Sequence, residues 1–113
     1  MAKSGPETRL LDKMRKAAQA KYGERLVQVK YHGNAYSQSG VSDMLNCLDG
    51  VFVAIEVKAP ESYGGSVEKA LADGPTVKQR SFVRKVVAAG GVGGFAATVD
   101  QYMAILKEAE QRG

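Results

Sequence analysis

An α/β domain with a mixed β-sheet flanked by helices is the fold class this sequence predicts, and three observations carry it. Apolar residues recur at helical spacing in three segments, they alternate with polar residues in another, and an Asp-Gly dipeptide separates two further apolar runs. The expected order is α-β-β-β-α-β-α, over a single domain of residues 1–113 with no internal repeat.

The first helix opens at Ser4-Gly5-Pro6-Glu7: Ser4 can cap it, Pro6 suits its first turn, and Glu7 stands three after Ser4 as in a capping box. Leu10, Leu11, Met14, Ala17 and Ala18 share a face, and Gly23 is the stop. From Glu24 to His32 the period changes to two, with Val27, Val29 and Tyr31 on one side and Gln28 and Lys30 on the other, which is a strand. Gly33 to Gly40 is small and polar and reads as a loop.

Asp43 to Leu48 and Val51 to Lys58 are two strands joined by Asp49-Gly50, the strongest short hairpin signal. Ala59 to Val77, with two prolines and several glycines, reads as a mobile connection with room for one helical turn over Glu68 to Ala72. Thr76-Val77-Lys78-Gln79 is a second capping-box pattern, leading into a helix whose Phe82, Val83, Val86 and Val87 share a face. Gly90 and Gly91 end it, Gly93 to Val99 is a short strand, and Asp100 caps a last helix carrying Tyr102, Ile105, Leu106 and Ala109. The run Gly90-Gly91-Val92-Gly93-Gly94 lacks the Gly-Lys-Ser/Thr of a phosphate cradle, so it is a helix stop and a close-packed strand entry.

With 44% hydrophobic and 25% charged residues, the composition is that of an ordinary globular domain. A chain of 113 residues buries roughly 60–70% of its unfolded surface without staples. The one cysteine, Cys47, has no internal disulfide partner and reads as a small core residue in a strand, in keeping with a reducing, intracellular setting. No charged-then-apolar leader and no membrane-spanning apolar run is present, which argues against secretion and membrane insertion. Lone histidine and lone cysteine argue against a zinc site. Net charge is +4, and the basic excess gathers in Arg9, Lys13, Arg15, Lys16 and Lys21, and again in Lys78, Arg80, Arg84 and Lys85, clusters able to neutralise phosphates or simply to face solvent.

A two-residue turn at Asp49-Gly50 sets the hairpin register: Leu48 faces Val51, and Asp43 faces Glu56. Directly opposed carboxylates repel unless a cation compensates. Alternation puts Glu56 and Lys58 on one face with Phe52 and Ala54, with Val51, Val53, Ile55 and Val57 on the other. Asp43, Glu56 and Lys58 thus converge at one sheet end, where hard oxygen ligands suit Mg²⁺ or Mn²⁺ and a lysine can stabilise developing negative charge. The bland reading is three polar residues at strand ends.

The segments Tyr31-His32-Gly33-Asn34-Ala35-Tyr36-Ser37, Ser39-Gly40-Val41-Ser42-Asp43-Met44-Leu45, Phe52-Val53-Ala54-Ile55-Glu56-Val57-Lys58-Ala59 and Thr76-Val77-Lys78-Gln79 with Phe82 resemble, in order and spacing, the VRR-NUC (virus-type replication-repair nuclease) family of the PD-(D/E)xK nuclease superfamily. The resemblance runs from about Glu7 to Val99 and implies a restriction-endonuclease-like core. It implies that Asp43, Glu56 and the Val57 carbonyl hold Mg²⁺ or Mn²⁺, that Lys58 is the catalytic lysine, that Gln79 orients groups in the site, and that Glu7 is the first-helix acid. Ser42 stands where the family pattern has proline, a position that supplies no ligand. Glu7 and Gln79 each occupy the third position of a capping box, so each either caps its helix or joins the site.

The implied activity is hydrolysis of DNA phosphodiesters, on branched forms such as four-way junctions or flaps, by a homodimer in a bacterial or phage-infected cytoplasm. The alternative is a nucleic-acid-binding module that keeps the fold without cleavage. Arg9, Lys13, Lys16, Lys78, Arg80 and Arg84 are the candidate nucleic-acid contacts, together with His32 and Tyr36; His32 can touch a phosphate, donate a proton, or sit idle at the surface.

Overall fold

The computed structural model describes residues 5–31 and 40–113. Helix α1 runs Pro6–Tyr22 and a 3₁₀ turn over Gly23–Arg25 leads into β1, Leu26–Lys30. Strands β2, Met44–Leu48, and β3, Val51–Val57, form a hairpin. After a 3₁₀ turn at Pro60–Tyr63 come α2, Val67–Asp73, α3, Val77–Ala88, β4, Val92–Ala96, and α4, Val99–Arg112. The sheet order is β1-β2-β3-β4, antiparallel except for the parallel pair β3–β4. The domain is therefore α/β with a four-stranded mixed sheet flanked by helices.

The hairpin turns on Asp49 and Gly50, both at positive φ, 51° and 85°, as a two-residue turn matched to strand twist requires. Arg25 clamps that turn through both carboxylate oxygens of Asp49 and reaches Glu110 on α4 as well. The pairing runs from Leu48 opposite Val51 to Met44 opposite Ile55, the expected register.

Helices α1 and α4 cover one sheet face. Leu11, Met14 and Ala18 from α1 and Tyr102, Leu106 and Ala109 from α4 meet Met44, Leu48, Val53, Ile55 and Val57 in the core. Helix α3 packs on the other face, over β3 and β4, through Val83 and Val86. There Gly91 is buried, because a Cβ on it would lie 2.9 Å from both the Phe52 carbonyl oxygen and Val86 Cγ1, the close-packed strand entry anticipated for the glycine run. A polar chain runs from the surface into the core: Gln19 donates to Gln28, Gln28 to the Tyr102 hydroxyl (2.9 Å), that hydroxyl to Asn46 Oδ1, and Asn46 to the Val53 carbonyl. Buried amides are thereby paired, as stability demands.

Several local expectations need correction. The segment taken as a mobile connection is ordered: Ser66 caps α2 by accepting from the Lys69 N–H, Ala70 is buried, and Arg80 donates to the Ala72 carbonyl. The N-cap of α1 is Gly5 with no side-chain cap, so Glu7 stands second in the helix rather than at the third position of a box; Ser4 lies outside the described residues. The N-cap of α4 is Thr98, not Asp100, because Thr98 Oγ1 accepts from the Gln101 N–H. Cys47 is exposed rather than in the core. The reason is that among the described residues no helix covers β1 and β2 on that side, so Val27, Val29 and Cys47 point outward while Gln28 and Asn46 face the helical layer. Among the described residues no helix is long and apolar enough to cross a membrane.

Candidate active site

Where β2 begins and β3 ends, two carboxylates interlock through the backbone. The Asp43 N–H donates to Glu56 Oε2 (3.1 Å) and the Val57 N–H donates to Asp43 Oδ2 (3.3 Å). The hairpin register thus delivers the opposed acids expected of it. Glu56 is only 2% exposed. Burial first, then the charge of Asp43 and a hydrogen bond with it, pushes the Glu56 carboxyl up to about 8, against a lowering pull from Lys58 and the Asp43 backbone.

Lys58, just past the end of β3 and 8% exposed, places Nζ 3.7 Å from Glu56 Oε1 and 3.9 Å from Glu7 Oε1. Its backbone N–H donates to the Ala96 carbonyl, extending the parallel pairing to the lysine itself. Glu7 comes from the first turn of α1; burial raises its carboxyl, Lys58 lowers it, and Asp43 raises it again. Gln79 resolves the choice between cap and site by doing both. Its Oε1 accepts from the Thr76 N–H while Thr76 Oγ1 accepts from the Gln79 N–H, and its Nε2 donates to Glu56 Oε1 at 2.9 Å. Four chain segments therefore bring Glu7, Asp43, Glu56, Lys58 and Gln79 into one cluster.

Two glycines hold this cluster together. A Cβ on Gly74, just after α2, would lie 2.9 and 3.0 Å from Cδ and Cγ of Lys58 and 2.3 Å from the Ala70 carbonyl oxygen. The lysine stem thus runs through space that only glycine leaves free. Gly40, at φ 78°, lets the lead into β2 lie against the start of α3, since a Cβ there would meet the Lys78 carbonyl oxygen at 2.5 Å. Gly74 bears on the candidate site without being legible in the sequence; the Asp-Gly-Pro break marks a helix end, and nothing in it names Lys58.

The donor set fits a small, hard divalent cation. The Asp43 and Glu56 carboxylates are close enough to raise the Glu56 pKa, and such an anionic pair is what a cation would relieve. The Val57 carbonyl stands at the same strand end, between Glu56 and Lys58. Among the described residues no group of three or more His, Cys, Asp or Glu side chains is assembled for a metal ion. Two carboxylates and a carbonyl instead match the partly hydrated mode in which Mg²⁺ binds.

The basic candidates divide. Arg9 forms a forked ion pair with Glu61 (3.0 and 3.2 Å). Arg80 donates to the Ala72 carbonyl at 2.9 Å and lies over the Phe95 ring, so it straps α2 to α3 and β4. Lys13, Lys16, Lys78 and Arg84 are exposed. His32 and Tyr36 lie outside the described residues. Ser42 is buried, and its hydroxyl has no partner among the described residues.

No protein-family model matches this chain, and comparison with curated proteins and with solved structures returns no match.

Proposed function

We propose that the chain is a divalent-metal-dependent nuclease that hydrolyses DNA phosphodiesters, with branched DNA such as four-way junctions and flaps as its substrates. One observation carries the reading: a pair of facing acids, half-buried Asp43 and buried Glu56, lies beside the ammonium of Lys58 and is fixed by Gln79. Clusters of ionisable groups perturbed by burial and by one another are where functional sites concentrate. The hairpin carrying the acids, followed by a helix and a parallel strand, agrees with the restriction-endonuclease-like core implied by the resemblance.

The Asp43 and Glu56 carboxylates, with the Val57 carbonyl, would hold Mg²⁺ or Mn²⁺, which when bound polarises a phosphodiester oxygen and lowers the pKa of a coordinated water. Lys58 offers a fixed positive charge at the mouth of the cluster, where it neutralises charge developing on the scissile phosphate. Gln79 keeps one Glu56 oxygen occupied and so holds the carboxylate in a single rotamer. Glu7 draws the Lys58 ammonium toward α1, defining its position from the second side. Lys13, Lys16, Lys78 and Arg84 bind flanking phosphates. The setting is the interior of a bacterial or phage-infected cell, and the acting species is a homodimer.

The test is incubation of the purified protein with four-way junction, flap, single-stranded and duplex DNA, with Mg²⁺, Mn²⁺ or chelator, beside Lys58→Ala and Glu56→Ala. Metal-dependent cleavage of branched DNA that is lost in both variants is expected. Cleavage that survives both substitutions would sink the assignment. Binding without cleavage would establish the non-catalytic module instead.

A further inference from the structure

Helix α1 carries Asp12, Arg15, Lys16 and Gln19 at spacings of three and four, so these side chains share one face. They line a hollow of about 370 Å³. Arg15 is half-buried, and its Nε is shut off from solvent without a hydrogen-bond partner. Among the described residues no hydrogen bond or ion pair holds its guanidinium, that of nearby Asp12 included. Arginine is rarely taken out of water without a counterpart, because its charge and its donors are then left uncompensated. The acceptors on the inner side are already engaged: Gln28 Oε1 takes the Gln19 amide, the Tyr102 oxygen takes the Gln28 amide, and Asn46 Oδ1 takes the Tyr102 hydroxyl. Burial pushes that hydroxyl up to about 12, while its bonds to Gln28 and Asn46 and the charge of Arg15 pull it back, so the guanidinium stands within electrostatic reach of this polar chain. A partner for Arg15 has to come from outside the fold.

We propose that this hollow is a phosphate-binding site, separate from the acid cluster, with Arg15 as its anchor and Lys16 as its second cation. The guanidinium fork matches a phosphate bidentately, through Nε and one Nη, and Nε is the donor that the fold leaves unserved. A tetrahedral phosphate has a further oxygen for the Lys16 ammonium, whereas the fork uses up a planar carboxylate. Two cations against the one carboxylate of Asp12 leave the lining net positive. The hollow falls within the roughly 300–1,000 Å³ of small-molecule sites and exceeds what a bare phosphate needs, so it suits a phosphate that carries an organic substituent. A nucleotide monoester and the phosphodiester of a strand share that chemistry, and Asp12 and the Gln19 carbonyl offer acceptors for a hydroxyl or amino group on the same molecule. Arg15 follows Glu7 on α1 by about 12 Å of helix axis, which keeps a phosphate here clear of the acids. The site goes beyond the flanking contact given to Lys16, an exposed charge that salt screens, because Arg15 adds a directed and shielded donor. It does not depend on cleavage by the acid cluster.

The Nε–H of Arg15 reports its own partner. Its nitrogen–proton NMR resonance, assigned through its bonds to the backbone, is followed in the full chain with chelator present and ionic strength held constant with chloride. Inorganic phosphate, thymidine monophosphate, a dithymidine phosphodiester and acetate are titrated in turn. Expected is a saturable shift of this resonance with the phosphate ligands and none with acetate. Affinity should fall about tenfold in Arg15→Lys, which loses the fork, and by a smaller factor in Lys16→Gln. Tighter binding of the phosphodiester identifies a nucleic-acid strand as the source, tighter binding of the monoester or of inorganic phosphate identifies a free phosphate compound, and either upholds the site. A resonance that no phosphate ligand moves overturns the proposal. So does one that acetate moves equally, or a folded Arg15→Lys that binds as tightly as the wild type. Lys16 is exposed, so Lys16→Gln keeps the comparison valid if Arg15→Lys fails to fold. Cleavage is not read in these measurements, so their outcome is separate from that of the nuclease assay.

Discussion

Gln79 donates to Glu56 across 2.9 Å while the same amide closes the cap of α3 at Thr76. A carboxylate can replace the cap acceptor but not the donor, so Gln79→Glu separates the two duties. This variant is expected to fold and to lose cleavage about tenfold or more, because it sets a third carboxylate against Glu56. Gln79→Ala loses both duties and gives up about 1 kcal/mol of stability as well. Melting curves beside cleavage rates read both; full activity in Gln79→Glu would reduce this residue to a helix cap.

Glu56 is raised from 4.5 to about 8 by burial and then by Asp43. The folded state holds this proton more tightly than the unfolded chain, so the group's contribution is complete below its unfolded value and is lost as pH rises through about 8. The Tm should therefore fall between about pH 5 and pH 8, by about 5 °C or more. Glu56→Gln should flatten that fall, and Mg²⁺ should raise the Tm more at the alkaline end than at the acid end. A Tm rising with pH over this range would contradict the raised Glu56 carboxyl.

Gly74 makes space for the Lys58 stem, and a methyl group there has nowhere to go without moving the lysine or α2. Gly74→Ala is expected to cost about 1–3 kcal/mol, as overpacking does, and to lower kcat more than it changes KM. Steady-state cleavage kinetics, run well below the measured melting point, supply the check. Wild-type kcat in a folded Gly74→Ala would remove its positioning role.

Exposed Lys16 and Arg84 should each contribute to a salt-dependent hold on DNA. Replacing either by Ala is expected to reduce the slope of log K against log salt by about 1, uniformly across DNA sequences. Arg80 strengthens the fold through the Ala72 carbonyl, so Arg80→Ala should lower the Tm by several degrees, on the order of 1 kcal/mol. Filter binding over a salt series separates these two kinds of arginine.

The hairpin and its acids were legible because Asp49-Gly50 demands a two-residue turn, and that turn leaves one register in which Asp43 meets Glu56. The cap of α4 was equally legible, in the Thr98-Val99-Asp100-Gln101 spacing, but Asp100 is as good an N-cap type and drew the helix start two residues late. What lay beyond reach was tertiary. Alternation in Leu26–Lys30 is the same whichever side carries the helices, and only the placement of α1, α3 and α4 decides that Val27 and Cys47 face outward. The order in Val67–Asp73 likewise rests in part on groups outside the segment, through the burial of Ala70 and the Arg80 bond to the Ala72 carbonyl.

The acids pair across 13 residues of hairpin, but Gln79 joins from 23 residues beyond Glu56, and Glu7 from the far side of the chain. Local contacts close before distant ones during folding. A nascent hairpin would therefore meet Asp43–Glu56 repulsion before α1 and α3 arrive to offset it, and water would still solvate both acids. On the proposed activity, the site would assemble late in folding, so recovery of cleavage after denaturant dilution would report complete docking of the helices, while strand formation would report only an inactive precursor.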